Sequence, residues 1–103
     1  MIARVWGPVA TRENAPKYAQ HLKTHVIPEL RGLKGYIDAA LWQRPQGDLV
    51  ELTVVTRWRS LESVREFAGE DIERAVVADE AAAVLVRFDD RVRHYEVVAE
   101  DAR

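Results

Sequence analysis

The order of elements read along the chain, β-α-β-β-α-β, predicts an α+β protein of the ferredoxin-like kind, with a four-stranded antiparallel sheet and both helices on one face. Three observations carry this. Two β-rich apolar runs flank Pro45-Gln46-Gly47 as a hairpin, an amphipathic helical stripe precedes that hairpin, and a serine-capped helix separates it from a β-branched run near the C-terminus. At 103 residues the sequence accommodates a single domain, residues 1–103.

Residues 2–6, IARVW, are short, β-branched and aromatic, and Gly7-Pro8 ends them as a first strand. Asn14 stands where a helix cap belongs, Pro16 falls in the first turn, and Pro28 marks the expected end of the helix. At about 100° per residue, Ala15, Tyr18, Ala19, Leu22 and Val26 share one face. A loop through Arg31 and Gly32 reaches Gly35. YIDAALWQR (36–44) and DLVELTVVTRW (48–58) then form the hairpin arms. Ser60 is placed to cap the second helix, with Glu62 near the positive end of its dipole. Leu61, Val64, Phe67 and Ala68 follow at helical spacing, and Gly69 closes the helix. A further helical piece is expected from Asp71 to about Ala78, where Ile72, Ala75 and Val76 are apolar. AAAVLV (81–86) fits helix or strand by periodicity, and VRHYEVVA (92–99) reads as the last strand.

Composition narrows the function classes. With 48% hydrophobic and 31% charged residues the chain is of globular type. The formal charge of −2, with acids and bases interspersed, offers no basic stripe for nucleic acid. The absence of cysteine excludes disulfides, thiolate nucleophiles, iron–sulfur clusters and cysteine-type zinc sites. No run of apolar residues approaches a membrane span, so a cytoplasmic protein that engages neither membrane nor nucleic acid is the expectation.

A sheet covered by helices on one face and by water on the other alternates apolar and polar residues along each strand. These strands do not. In the first hairpin arm Ile37, Ala39 and Leu41 point one way, and Tyr36, Ala40 and Trp42 the other; Ile2 and Trp6 oppose Ala3 and Val5; Val92 and His94 oppose Tyr95 and Val97. Two apolar faces call for a second cover, and the simplest is another copy of the same sheet in a homodimer. Such an interface contributes several kcal/mol at roughly 25 cal/mol per Å².

With these elements in place, the chain resembles the antibiotic-biosynthesis-monooxygenase-like family of dimeric α/β barrels over nearly its whole length. The likeness rests on the element order, on the hairpin GYIDAALWQRPQGDLVELTVVTRW, and on RWRSLESVREFAG, which matches the family's W-x-S-x-E-x-x-x-x-[FW] strand-to-helix junction. It implies a dimer and a small-molecule chemistry. The family spans cofactor-independent quinone-forming monooxygenases, haem-degrading enzymes, isomerases and proteins with no assigned reaction. Polyketide-oxidising members place an asparagine four residues before the junction tryptophan and a tyrosine six after it. This chain keeps Trp58 but has Val54 and Val64 at those positions. Haem-degrading members need an asparagine on the first strand, a late aromatic in the second helix and a histidine nine residues beyond. Here the strand has no asparagine, the aromatic is Phe67 rather than tryptophan, and the histidine position holds Val76, so no axial ligand is supplied.

The candidate site residues each carry a structural alternative. Trp58 either stacks on a flat substrate or plugs the corner where strand turns into helix. Phe67, Tyr18 and His25 are further candidate walls. Trp6 and Trp42 belong either to a cavity or to the dimer core, where aromatics are enriched, and an interface is favoured for at least one of them. His21 and His25, spaced i, i+4, are helix neighbours, yet two ligands without a third make no metal site; His21 is expected in solvent and His25 nearer the apolar edge. His94 has apolar strand neighbours and is the candidate general base; the alternative is a histidine hydrogen-bonded in the interface. Arg4 and Arg93 are expected to pair with acids such as Asp38 or Glu96. The leading expectation is therefore a cofactor-independent monooxygenase acting on a flat phenolic or quinol-type molecule, with His94 as base. A non-enzymatic binding or assembly module, and an isomerase or lyase on the same scaffold, are the alternatives. No metal and no cofactor is expected.

Overall fold

Leu49–Trp58, the longest β-branched run, becomes the central strand of an antiparallel sheet in the computed structural model, which describes all of residues 1–103. The strands are β1 (Ile2–Trp6), β2 (Pro8–Thr11), β3 (Tyr36–Gln46), β4 (Leu49–Trp58), β5 (Arg87–Phe88) and β6 (Arg93–Glu96). The helices are α1 (Ala15–His21), α2 (Ile27–Arg31), α3 (Leu61–Ala68) and α4 (Asp79–Ala83). β1 and β2 are two halves of one strand broken at Gly7. Both lie against β4, Trp6 opposite Val54 and Val9 opposite Glu51. Their other edge receives β6 and β5, with Arg4 opposite His94 and Pro8 opposite Phe88. β3 closes the opposite edge along the whole length of β4. The sheet is therefore four strands wide in the order expected of the ferredoxin-like fold, and the fold class read from the sequence stands.

Two core clusters sit between the sheet and the helices. One joins Trp6, Leu52, Val54 and Val92 to Tyr18 and Leu22 of the first helix; the other joins Trp58 to Leu30, Val64 and Ala68. α3 begins and ends as its sequence requires: the Ser60 hydroxyl accepts from the Ser63 amide at 3.2 Å, and Gly69 takes φ +82°.

Several local expectations are corrected. The hairpin turns through Gly47-Asp48, with Gln46 opposite Leu49 and Gly47 at φ +63°, the glycine-first geometry of a two-residue turn. A bulge between Tyr36 and Asp38 in β3 changes the parity of that arm, so Tyr36 lies edge-on to Trp58 on the helix side while Asp38, Ala40 and Trp42 face away. Pro28 does not end the first helix. A π-helical turn, Leu22–Val26, loosens the ladder ahead of it, and α2 resumes with the proline in its first turn, where no amide donor is needed. Asn14 occupies the cap position of α1 without a side-chain cap bond. No helix forms over Asp71–Ala78. There the Ala75 amide donates to the Asp90 carbonyl, the Val92 amide donates to the Glu73 carbonyl, and the Ile72 and Arg74 carbonyls accept from Arg4. AAAVLV resolves into the end of α4 and an irregular continuation. The last strand is shorter than 92–99, although the Val97 amide still reaches the Met1 carbonyl. No helix is long and apolar enough to cross a membrane.

Candidate functional site

Where the two core clusters meet, α1 and the Val76–Ala78 segment stand apart over the sheet. The gap is a cavity of about 60 Å³. Its walls are mostly apolar: Trp6 and Val54 from the sheet, Tyr18, Leu22 and Val26 from the first helix, Phe67 from α3, and Val76 and Val77. Its polar groups are Arg4, Thr56, His21 and the Tyr18 phenol; no aspartate or glutamate lines it. Burial raises the Tyr18 pKa well above its ordinary value, so the phenol stays protonated and available as a donor. The Thr56 hydroxyl oxygen accepts from Trp58 Nε1 at 2.9 Å, which leaves its own O–H free to donate elsewhere.

Arg4 is the polar centre of the site. It sits on β1 between Ile2 and Trp6, on the helix-facing side, and is only 5% exposed. Nη1 donates to the Ile72 carbonyl and lies 3.0 Å from His94 Nε2, Nη2 donates to the Arg74 carbonyl at 2.8 Å, and the guanidinium rests 5.7 Å from the Phe67 ring centre. An arginine has no acceptor, so His94 Nε2 must offer its lone pair and the imidazole is neutral. Burial, and secondly the Arg4 charge, hold His94 below its ordinary pKa, with Glu73 opposing weakly. Desolvation lowers Arg4 itself to about 10.

The sequence candidates distribute unevenly over this geometry. Tyr18 and Phe67 line the cavity. Trp58 does not: it is fully buried behind the wall, stacked on Phe67 at 5.9 Å, and is the corner plug of the structural alternative. The two helix histidines exchange roles. His21 lines the cavity, whereas His25 lies in solvent, stacked on His21 at 5.3 Å with Nδ1 2.8 Å from the Thr24 hydroxyl. The π-helical turn begins between them: His21 closes α1 ahead of it, and His25 falls within it, where the ladder departs from ideal spacing. His94 is half-buried but lies off the cavity wall, its Nε2 committed to Arg4. Trp6 lines the cavity and anchors its indole N–H on the Asp89 carbonyl at 2.7 Å; Trp42 is 61% exposed on the other face of the sheet. Arg4 pairs with carbonyls rather than acids, and Asp38 pairs with Arg57. Arg4, Thr56 and His21 are the site residues that sequence reasoning missed. The signal for Arg4 was its parity with Trp6, a cation on the inward side of an apolar strand.

No protein-family model matches the sequence, and comparison with curated proteins yields no match. Solved structures do match, over the full length. A proposed antibiotic biosynthesis monooxygenase from Bacillus cereus superposes with a TM-score of 0.72 at 16% identity, covering 100% of this chain and 96% of that one. The monooxygenase from the gene ActVA-Orf6 of Streptomyces coelicolor, in complex with nanaomycin D, matches with a TM-score of 0.62 at 17% identity, covering 99% and 88%. The haem degrader MhuD from Mycobacterium tuberculosis, with two haems in its active site, matches with a TM-score of 0.63 at 17% identity, covering 99% and 100%. The chain thus has the fold of these proteins.

Proposed function

We propose that the domain works as a homodimer, takes a small, flat, largely apolar molecule of phenol or quinol type into the cavity, and oxidises it with O₂ without metal or flavin. The observation that carries this is the cavity itself, apolar walls around a buried cation, with hydrogen-bond donors and no acid. An electron-rich anion of the substrate donates an electron to O₂; recombination and loss of water turn a ring CH₂ into a ring C=O. One O₂ is consumed and one H₂O released, so the change balances without an outside reductant. The protein's contribution is a water-poor pocket, orientation and a positive charge beside the anion. That a structural neighbour holds nanaomycin D supports an aromatic ligand. Haem is disfavoured because Val76, at the position where the resemblance puts the iron ligand, presents an aliphatic wall to the cavity.

The second reading is a binding module without catalysis. The engagement of His94 Nε2 favours it, since that leaves no free base at that position. O₂ uptake with anthrone and with hydroquinone separates the two. Uptake above the protein-free rate is expected. Saturable quenching of tryptophan fluorescence with no uptake establishes the binding module instead, and substrate loss under nitrogen establishes an isomerase or lyase.

A further inference from the structure

Resting on the cavity reading above, we propose that the cavity selects a small apolar organic anion, a phenolate or enolate, and that Arg4 is the residue that receives its negative oxygen. Arg4 is a charge without a counter-ion. None of the ion pairs of the molecule includes it: Asp71 and Glu73 are taken by Arg91, Asp38 and Glu100 by Arg57, and Glu51 by Arg44. The groups that do hold it, two carbonyls and an imidazole lone pair, satisfy hydrogen bonds while leaving the charge uncompensated. Three of its five N–H groups are used in this way; Nε–H and one Nη2–H remain.

The surroundings fix where that charge can act. Phe67 lies beneath the guanidinium, β6 holds it through His94, and the Ile72–Arg74 carbonyls hold it from the segment after α3, so it has no route to swing into solvent. The titratable groups around it are His94 from β6, Glu73 beside His94 but turned onto Arg91 at 3.2 Å, and His21 and Tyr18 across the cavity. None supplies an opposing charge inside. An apolar anion gains the cation and the apolar walls together, whereas a neutral ligand of the same shape leaves the cation unmatched. The same arrangement lessens the need for a base: the ligand binds as the anion, its proton already given to solvent, because a phenol beside Arg4 ionises more readily, and His94 acts as the positioning residue that holds the guanidinium.

The test uses 4-nitrophenol, whose anion is coloured, and its neutral analogue 4-nitroanisole. Titrated across pH against the wild-type protein, bound 4-nitrophenol is expected to ionise about 1 pH unit or more below the free dye. Ionisation at or above the free value overturns the assignment of Arg4, because an apolar cavity with no effective cation raises a phenol's pKa. In Arg4→Gln the shift is expected to vanish or reverse, with far-UV circular dichroism checking the fold. The wild-type result decides the question even where that variant does not fold. Equal affinity for 4-nitroanisole removes the anion selectivity and leaves the cavity reading standing; no binding of either compound at millimolar concentration removes both.

Discussion

His94 shows how one hydrogen bond changes a residue's chemistry. A strand histidine with apolar neighbours is a natural base, but its Nε2 lone pair is spent on the buried Arg4. The imidazole's pKa is lowered, first by burial and then by the Arg4 charge. The sign for stability follows. The folded chain binds fewer protons than the unfolded chain between the folded pKa and the ordinary 6.5, so the contribution is full above 6.5 and is lost as pH falls toward the folded value. His94→Gln keeps an acceptor for Arg4 and does not titrate. Its urea midpoint is expected to fall less than that of the wild type between about pH 7 and pH 5. Asp38 and Asp71, whose carboxyls Arg57 and Arg91 hold below their usual range, weaken the fold at lower pH in both proteins, so the difference isolates His94. Parallel curves would show that His94 is not held neutral by the fold. The partner of His94 was not legible in the sequence, because residues 4 and 94 meet only through the register of β1 on β6.

At the scale of elements, short-range chemistry was legible and long-range competition was not. Ser60 and Gly69 bound α3, and the hairpin falls where the β-rich runs put it, because caps and turns depend on a few neighbouring residues. Asp71–Ala78 defeated its helical pattern because β1, through Arg4, and the Asp90–Val92 stretch claim its backbone groups. Pro28 failed as a stop signal because a π-helical turn absorbs it. The junction between the first helix and β3 carries a sharper requirement. Gly35 has φ +90°, and a Cβ there would stand 2.2 Å from the Ser63 hydroxyl and 2.6 Å from its Cβ, in the first turn of α3. Gly47, at φ +63°, has nothing near it. Gly47→Ala is therefore expected to cost about 1 kcal/mol from backbone strain alone, and Gly35→Ala about twice that or more, since α3 must also shift. Equal losses in chemical denaturation would mean that the α3 start yields without cost.

For the whole molecule the open question is what covers the far side of the sheet. All the helices pack on one face, and the other carries Ala3, Val5, Ala40 and Val55 around two large exposed aromatics, Trp42 at 61% and Tyr95 at 50%. The two-sided apolar pattern noted along the strands is thus present in three dimensions, with the parity of β3 reset by its bulge. At the margins of this face Arg57 is paired with Asp38 and Glu100, and Arg44 with Glu51; Thr53 and the exposed Arg93 share the face, and Ala3, Val5, Ala40, Val55, Trp42 and Tyr95 form its apolar part. An antiparallel sheet facing water on that side would carry polar residues at these positions. A second copy turned onto the same patch buries both tryptophans in a self-complementary contact. Light scattering at micromolar concentration is expected to give twice the chain mass for the wild type. Trp42→Glu places a carboxylate at the centre of the contact on both copies, and is expected to give the single-chain mass with an unchanged circular dichroism spectrum, because Trp42 supports neither core cluster. A monomeric wild type, or a Trp42→Glu variant that keeps the doubled mass, would rule out this face as the interface.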